Sequence, residues 1–227
     1  MHPILKQYMV LAEFLGKVLG PQYEITLHDL SSTEQSIATI VNGHISGRTV
    51  GAPLTDLALR FVKDKVYEAM DYKVGYRGVS GKNSAIRSST MFIKDEKGAL
   101  IGMLCLNYDA SKCLELMDGL AGFFQLDLSA LSQADSADAH PSHPQDSIET
   151  FSNSIADLVA SALEQVLPNP AIPKERLTQE EKLEIVDVLN QKGVFLLKGA
   201  VSEVAQQLHS SEASIYRYMS KLNKSTK

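Results

Sequence analysis

The chain has no tryptophan, only two cysteines among 227 residues, and no apolar run approaching membrane-spanning length. A transmembrane helix needs about 20 consecutive apolar residues, so none is expected. The opening stretch MHPILKQYMV lacks the basic start and long apolar run of a secretory signal, so a cytoplasmic protein is expected. Cys105 and Cys113 lie eight positions apart, which matches neither a disulfide framework nor a zinc-ligand or redox spacing. Both are expected to be reduced thiols, with Cys105 packed inertly in a strand rather than acting as a redox switch. There is no CxxCH, no glycine-rich dinucleotide fingerprint and no cysteine in a flavin-adduct setting, so no cofactor is expected. Nor is there a nucleophile–base pair in motif spacing, a pair of carboxylates in an apolar setting or a phosphate loop. No catalytic residue is therefore assigned, and the chain is not read as an enzyme.

With 44% hydrophobic and 22% charged residues, the composition is that of a soluble globular protein with room for one or two cores. The net charge of -5 is unevenly spread. Residues 1–128 hold 13 basic against 14 acidic side chains, residues 129–173 hold none against 6, and residues 174–227 hold 9 against 7. At the C-terminal tip Arg217, Lys221, Lys224 and Lys227 face only Glu212. A phosphate backbone responds to local field, so an acidic total does not exclude nucleic acid.

Residues 4–19 carry apolar side chains at helical spacing and stop at Gly20-Pro21. YEITLHDL (23–30) and SIATIVNGHI (36–45) are rich in β-branched residues and read as paired strands. Residues 55–68 return to helical spacing. GYRGVSG, SAIRSSTMFI and ALIGMLCLNYD follow, the last two joined by KDEKG, which predicts a hairpin. The order gives an α+β module with an antiparallel sheet over 1–128. Residues 129–147 lack aliphatic bulk after Leu131 and read as a linker. His140 and His143 in it have no matched partners, so no metal site is assigned. Ile148, Phe151, Ile155, Leu158, Val159, Ala162, Leu163 and Val166 recur at intervals of three and four, which predicts a connecting helix over 147–167. PNPAIPK ends that helix in a stiff spacer, so 148–173 is a connector and 174–227 a separate unit.

In the last unit Thr178 and Glu181 form a capping box, predicting a helix to about Gln191 before Gly193. AVSEVAQQL is a second helix and HSSEASIYRYMSK leads into a third. Small Ala205 lets the last two cross closely, and Ile215 fills the gap between them, which is a helix-turn-helix. At about 100° per residue, Ile215, Tyr218, Met219 and Leu222 share the inner arc, while Ala213, Tyr216, Arg217, Ser220 and Lys224 share the outer one. The Ser210 or Ser211 hydroxyl can cap the third helix, whose N-terminus then suits a phosphate. Candidate DNA contacts are Ser211, Glu212, Ala213, Tyr216, Arg217, Ser220, Lys221 and Lys224. Arg217 can bind guanine or phosphate, Tyr216 and Ser220 can reach bases or backbone, Lys221 and Lys224 suit phosphates, and Glu212 can accept from a cytosine amine. His209 stands where such turns often use glycine.

GVSGKNSAIRSSTMFIKDEKGALIGMLCLNYD (78–109) and LTQEEKLEIVDVLNQKGVFLLKGAVSEVAQQLHSSEASIYRYMSKL (177–222) resemble bacterial transcriptional regulators that join a YheO-like PAS domain to a helix-turn-helix. The resemblance covers most of the chain outside the linker. It implies an all-α DNA-binding domain behind a PAS-like domain, and a regulator that represses transcription, its PAS-like domain either sensing a small metabolite, an amino acid among the candidates, or mediating dimerisation. A PAS-like sheet curves around a cavity, so polar residues amid apolar strands are the places to look for its lining. His28, Asn42, Tyr76, Ser89 and Asn107 are the candidate ligand contacts, each with the alternative of satisfying a turn or strand end. The expected partners are double-stranded DNA, an effector and a second copy of the chain, because one short helix-turn-helix grips too few base pairs for specificity. A protein-binding adaptor whose C-terminal helices dock a partner is the alternative.

Overall fold

The computed structural model describes residues 1–80, 85–124, 148–166 and 177–225, with the side chains of all but 165, 166 and 223–225. The first helix, α1 (Pro3–Leu19), begins with proline where a missing N–H costs nothing. The His2 ring nitrogen Nδ1 accepts from the Ile4 N–H at 3.3 Å, and Gly20 ends the helix with φ 86°. The predicted strands follow as β1 (Tyr23–Asp29) and β2 (Ile37–Val41), paired antiparallel.

The helix read over 55–68 is divided into α2 (Asp56–Lys63) and a single turn, α3 (Val66–Ala69). Lys63, Asp64 and Lys65 are all exposed and leave nothing to bury there, and Lys65 turns left-handed at φ 51°. β3 (Tyr72–Val79), β4 (Ile86–Lys94) and β5 (Leu100–Asp109) complete the antiparallel sheet, with the predicted hairpin between the last two. In that hairpin the Asp95 carboxylate accepts from the N–H groups of Lys97 and Ala99, both at 2.9 Å. A further helix, α4 (Ser111–Phe124), was not foreseen. Its apolar residues Cys113, Leu116, Met117, Leu120, Ala121 and Phe124 recur at intervals of three and four, and all of these but Ala121 are exposed.

The predicted connecting helix is corrected in its first half. Ile148–Thr150 form a strand, β6, parallel to β3, and only Ile155–Val166 are helical (α5). β3 is an open edge, and the short run with β-branched Ile148 and Thr150 pairs with it instead of coiling. The helix starts after Ser154, whose hydroxyl accepts from the Asp157 N–H at 3.1 Å. The linker over 129–147, with its two histidines, and the Pro-rich spacer lie outside the described residues.

The strand order is β2-β1-β5-β4-β3-β6. Alternation along β1 sends Ile25 and Leu27 toward α1, where they pack with Leu5, Ala12, Ile93 and Leu104. A Cβ on Gly16 would stand 2.4 Å from a Val41 methyl, so only glycine lets α1 lie this close to β2. The opposite face carries Glu24, Thr26 and His28 of β1, which register with Asn107, Cys105 and Met103 of β5. These in turn register with Ser88, Thr90 and Phe92 of β4. Tyr76 stands opposite Ser88, and Glu149 of β6 opposite Gly78 of β3.

The C-terminal helices are α6 (Gln179–Gln191), α7 (Ala200–Gln207) and α8 (Glu212–Ser225), with a 3-10 turn at Val194–Leu196. The capping box forms as read: the Glu181 N–H donates to the Thr178 hydroxyl at 3.2 Å, and the Thr178 N–H donates to the Glu181 carboxylate at 2.7 Å. Leu57 and Phe61 of α2, Phe92 and Met103 of the sheet, Val159 and Leu163 of α5, and Ile185, Val204 and Ile215 of the last helices form one continuous core. The Lys63 ammonium donates to the last carbonyls of α6, reaching Gln191 at 2.8 Å, and the Glu34 carboxylate accepts from the Lys198 N–H at 3.1 Å.

Candidate DNA interface and buried polar cluster

The turn between α7 and α8 explains the odd histidine. His209 adopts the left-handed conformation, φ 46°. Its N–H donates to the Gln206 carbonyl at 3.2 Å, while the Ser210 N–H donates to the Ala205 carbonyl at 2.9 Å. This is the paired closure of a Schellman motif, with His209 at the position glycine usually takes. Of the two candidate caps, Ser211 holds α8: its hydroxyl accepts from the Ser214 N–H at 3.2 Å. The Ser210 hydroxyl instead donates to the Leu208 carbonyl at 3.1 Å, with the Lys182 ammonium 3.2 Å away.

The predicted faces of α8 are the observed ones. Ile215 and Tyr218 are buried against Ala205, Val204 and Leu208, and Met219 and Leu222 are half-buried. Ser211, Glu212, Ala213, Tyr216, Arg217, Ser220 and Lys221 are all exposed on the outer side. The Arg217 guanidinium donates to the Ser214 hydroxyl at 3.3 Å, which lays it along the N-terminal half of the helix. The side chain of Lys224 lies outside the described residues.

The five candidate ligand contacts divide. His28, Tyr76 and Asn107 converge on the inner face of the sheet, and all three are buried. Asn42 and Ser89 do not join them. Asn42 turns left-handed at φ 58°, and its amide donates to the carbonyls of Gly20 and Tyr23 at 3.1 and 2.8 Å, closing a turn. Ser89 points to the other face, where its hydroxyl accepts from the Gly75 N–H at 3.2 Å. Both satisfy local backbone, which was the alternative reading.

Around the convergent three stand residues that the sequence did not single out: Glu24, Ser36, Ser46, Arg48, Thr55, Ser88, Thr90 and Glu149, all buried. The Glu24 carboxylate accepts from the Ser46 N–H and hydroxyl at 3.1 and 2.6 Å and from the Asn107 amide at 2.8 Å. The Glu149 carboxyl accepts from the Thr55 hydroxyl at 2.7 Å on one oxygen. His28 Nδ1 meets the Ser36 hydroxyl at 2.9 Å, and the Tyr76 and Thr90 hydroxyls meet at 2.7 Å. The Arg48 guanidinium binds the Pro53 carbonyl and stands 6.0 Å from the centroid of the Phe151 ring.

Burial dominates the electrostatics. It pushes Glu149 up to about 7, against the pull of the Thr55 hydroxyl and of Arg48. The Ser88 hydroxyl also favours the charged form of Glu149, although it makes no hydrogen bond of good geometry. Burial holds His28 well below its usual range, with Arg48 adding to the effect, so its ring is neutral at pH 7. Cys105, beside the Thr90 hydroxyl at 3.2 Å, is pushed up to about 12, chiefly by burial. Burial therefore keeps Cys105 in its thiol form at neutral pH. Among the described residues five buried side-chain atoms make no hydrogen bond of good geometry, and four of them, Arg48 Nε, Ser88 Oγ, Asn107 Oδ1 and Glu149 Oε2, belong to this cluster, the fifth being Gln207 Oε1 on α7. Each orphaned group costs about 1–3 kcal/mol, and their gathering on one face sets this cluster apart from an ordinary core.

The signal for these residues was faint but present. Glu24 shares the parity of Thr26 and His28 in YEITLHD, so a charge was already aimed at the inner face. Glu149 was read as part of a helix and Arg48 as loop, and neither has a local pattern that reveals burial. Among the described residues no group of three or more His, Cys, Asp and Glu gathers as for a metal, and no helix is long and apolar enough to cross a membrane.

A curled, mostly antiparallel sheet with a polar inner face, joined to a helical unit ending in helix-turn-helix, defines a DNA-binding transcription regulator with a PAS-like N-terminal half. Residues 1–125 match the YheO-like PAS domain and residues 158–220 match an HTH domain. The chain belongs to the YheO-like PAS domain family. It is 30% identical to the YheO protein of Escherichia coli K12 over 217 residues, covering 95% of this chain and 83% of that one. A Haemophilus influenzae protein is 29% identical over 95% of this chain and 90% of its own. The transcriptional regulator DauR of Pseudomonas aeruginosa is 26% identical over 97% and 95%. The HTH match begins inside α5, which packs against α6 and α7.

Two predictions test these geometries. A non-glycine residue in the left-handed region costs about 1 kcal/mol, so His209→Gly should stabilise the chain by about that amount in urea unfolding. Glu149 binds its proton more tightly in the fold than in the unfolded chain, whose value is near 4.5, so its contribution falls as pH rises from 4.5 through about 7. Glu149→Gln has no proton to lose. Its stability relative to the native chain should improve by about 3 kcal/mol across that window, as read from urea unfolding at stepped pH.

Proposed function

We propose that the chain is a homodimeric repressor that reads operator DNA with α8 and changes its grip when a small metabolite, such as an amino acid, binds the N-terminal domain. The observation that carries this is the outer face of α8. The Schellman turn and the Ser211 cap fix the helix on α7, while Tyr216, Arg217, Ser220 and Lys221 stand exposed together. Inserted in the major groove, Arg217 reads guanine or grips phosphate, Tyr216 and Ser220 reach bases or backbone, and Lys221 and Lys224 hold phosphates. The α8 N-terminus adds phosphate-directed N–H groups at Ser211, Glu212 and Ala213. Glu212 repels phosphate and suits a cytosine amine. Repression is the sense implied by the family resemblance, and the regulator role named for DauR supports the reading.

The route from sensor to DNA runs through β6 and α5. Glu149 sits on β6, Phe151 and Ser152 are buried just after it, and α5 follows at once. The Gln207 amide at the end of α7 donates to the Ala156 carbonyl of α5 at 3.1 Å. A shift of β6 is thus transmitted to the helix that positions α8.

A second copy is supported by α1. Val10, Phe14 and Val18 lie one turn apart along its outer side and are 69%, 59% and 63% exposed. So large an apolar stripe on a free surface marks an association face.

Purified full-length protein should retain a subset of genomic fragments, with affinity falling steeply as salt rises. Arg217→Ala should weaken the retained fragments by about 10- to 100-fold. If the intact protein retains no fragment, with or without cell metabolites, the DNA reading fails and the adaptor reading takes its place. Separately, Phe14→Glu should convert the dimer to a monomer in sedimentation. A native chain that sediments as a monomer at micromolar concentration would remove the dimer.

A further inference from the structure

The seam between α2 and α6 holds a cleft of about 430 Å³, a size at which small molecules are bound. Leu57 and Phe61 of α2 and Val188 of α6 give it an apolar wall. Three cations reach it from three elements: Arg60 of α2, Lys73 of β3 and Lys192 at the end of α6. All three are half-buried, and among the described residues Asp64, exposed at the end of α2, is the one carboxylate in the lining.

The surroundings keep this charge in place. The Lys73 ammonium stands 5.7 Å from the centroid of the Phe61 ring, so it lies over the apolar wall. Burial lowers Lys192 below its usual range; Asp56 opposes this and Arg60 adds to it, so guanidinium and ammonium act on each other across the seam. Asp56 is already engaged, its carboxylate accepting from the N–H groups of Leu57 and Thr150 at 2.8 and 2.7 Å. The last carbonyls of α6, which repel an anion, are covered by the Lys63 ammonium. Beside the cleft the seam is tight, for a Cβ on Gly193 would stand 3.3 Å from the Leu59 carbonyl oxygen. Like charges are thus gathered across a fixed seam, next to apolar surface, and an anion offsets their repulsion.

We propose that this cleft binds a small organic dianion, a phosphate monoester or a dicarboxylate on an apolar body, its charges held by Arg60, Lys73 and Lys192 and its body laid against Leu57, Phe61 and Val188. A bare phosphate fills only part of the volume and leaves the apolar wall wet. A DNA duplex reaches only the rim of so small a hollow. Because the cations come from both sides of the seam, the occupant fastens α6 to α2 and β3. The cleft shares no lining residue with the polar cluster on the sheet, so its occupant is separate from the metabolite proposed above, and the site needs neither the sensor nor the DNA reading.

Calorimetry on the full-length protein at about pH 8, where a phosphate monoester carries two charges, tests this. The probes are phenyl phosphate, phthalate, inorganic phosphate and neutral benzyl alcohol. Phenyl phosphate or phthalate should bind saturably and raise the melting temperature, and the tighter of the two names the source of the dianion. Inorganic phosphate and benzyl alcohol should bind at least about tenfold more weakly. Lys73→Gln and Lys192→Gln should each weaken the tighter probe by about tenfold, while Lys112→Gln, exposed on α4, should leave it unchanged. Circular dichroism checks that the cleft variants fold, and should one fail, the other decides. The proposal is overturned if inorganic phosphate or benzyl alcohol binds as tightly as the organic dianions, if a folded cleft variant binds normally, if Lys112→Gln weakens binding equally, or if neither organic dianion binds at millimolar concentration. If the cleft variants, with no anion added, lose genomic fragments as Arg217→Ala does, the cations are DNA contacts and the proposal is likewise overturned. Loss of the cleft site leaves the retention of fragments by the native chain, and hence the DNA reading, untouched.

Discussion

The hydroxyl of Thr55 joins the two halves of the molecule. It accepts from the Ala58 N–H at 3.1 Å, capping α2, and donates to the Glu149 carboxyl at 2.7 Å, anchoring β6. The neighbouring Asp56 carboxylate accepts from the Thr150 N–H at 2.7 Å, so adjacent residues pin adjacent positions of the same strand. β6 has only three residues and one neighbour in the sheet, and so short a strand has little stability of its own. Its place beneath α2 depends on those two side chains. β6 leads directly into α5, while the helices beyond are also held by the core they share with α2, by Lys63 at the end of α6 and by Glu34 at the Lys198 N–H.

Buried charge gives that junction its character. A core free of Arg48, Glu24 and Glu149 would cost less, since desolvating an ion is repaid only by good geometry and full hydrogen bonding. Glu24 meets that condition; Arg48 and Glu149 do not, for each keeps an atom without a partner among the described residues. Under the proposed function, a metabolite that met these charges would stiffen a link whose other end is the α7–α8 turn, because a binding event is read elsewhere only through an element that both sites bias.

Much of this was legible in the sequence, and the exceptions have physical causes. Helix ends with side-chain caps, such as Thr178 with Glu181, were readable because the cap is local and its donors are fixed by the helix. The inner and outer arcs of α8 followed from period alone. The segment around Ile148 misled because spacing of three and four describes a helix stripe, yet an open strand edge nearby offers backbone hydrogen bonds that no local pattern records. α4 was legible too, since Cys113, Leu116, Met117, Leu120 and Phe124 recur at helical spacing; only their exposure sets them apart from a core-facing stripe. Within the cluster, His28, Tyr76 and Asn107 were found as polar residues amid apolar strands. Asn42 and Ser89 showed the same pattern, and backbone carbonyls and a neighbouring N–H claimed them. Arg48 and Glu149 come from a loop and an edge strand far apart in the chain, so only folding brings them together.

The same reasoning bears on how an acidic chain can hold DNA. The excess negative charge belongs to residues 129–173, and part of it is Glu149, whose burial leaves it only partly ionised near neutral pH. Salt screens exposed charges beyond about 10 Å, so a phosphate at α8 responds chiefly to Arg217, Lys221 and the helix N-terminus. Under the proposed function, charge in the N-terminal domain therefore acts on DNA through position rather than field: a metabolite that changes the partners of Glu149 would reach the operator by moving β6, α5 and α7, and hence the angle at which α8 meets the groove.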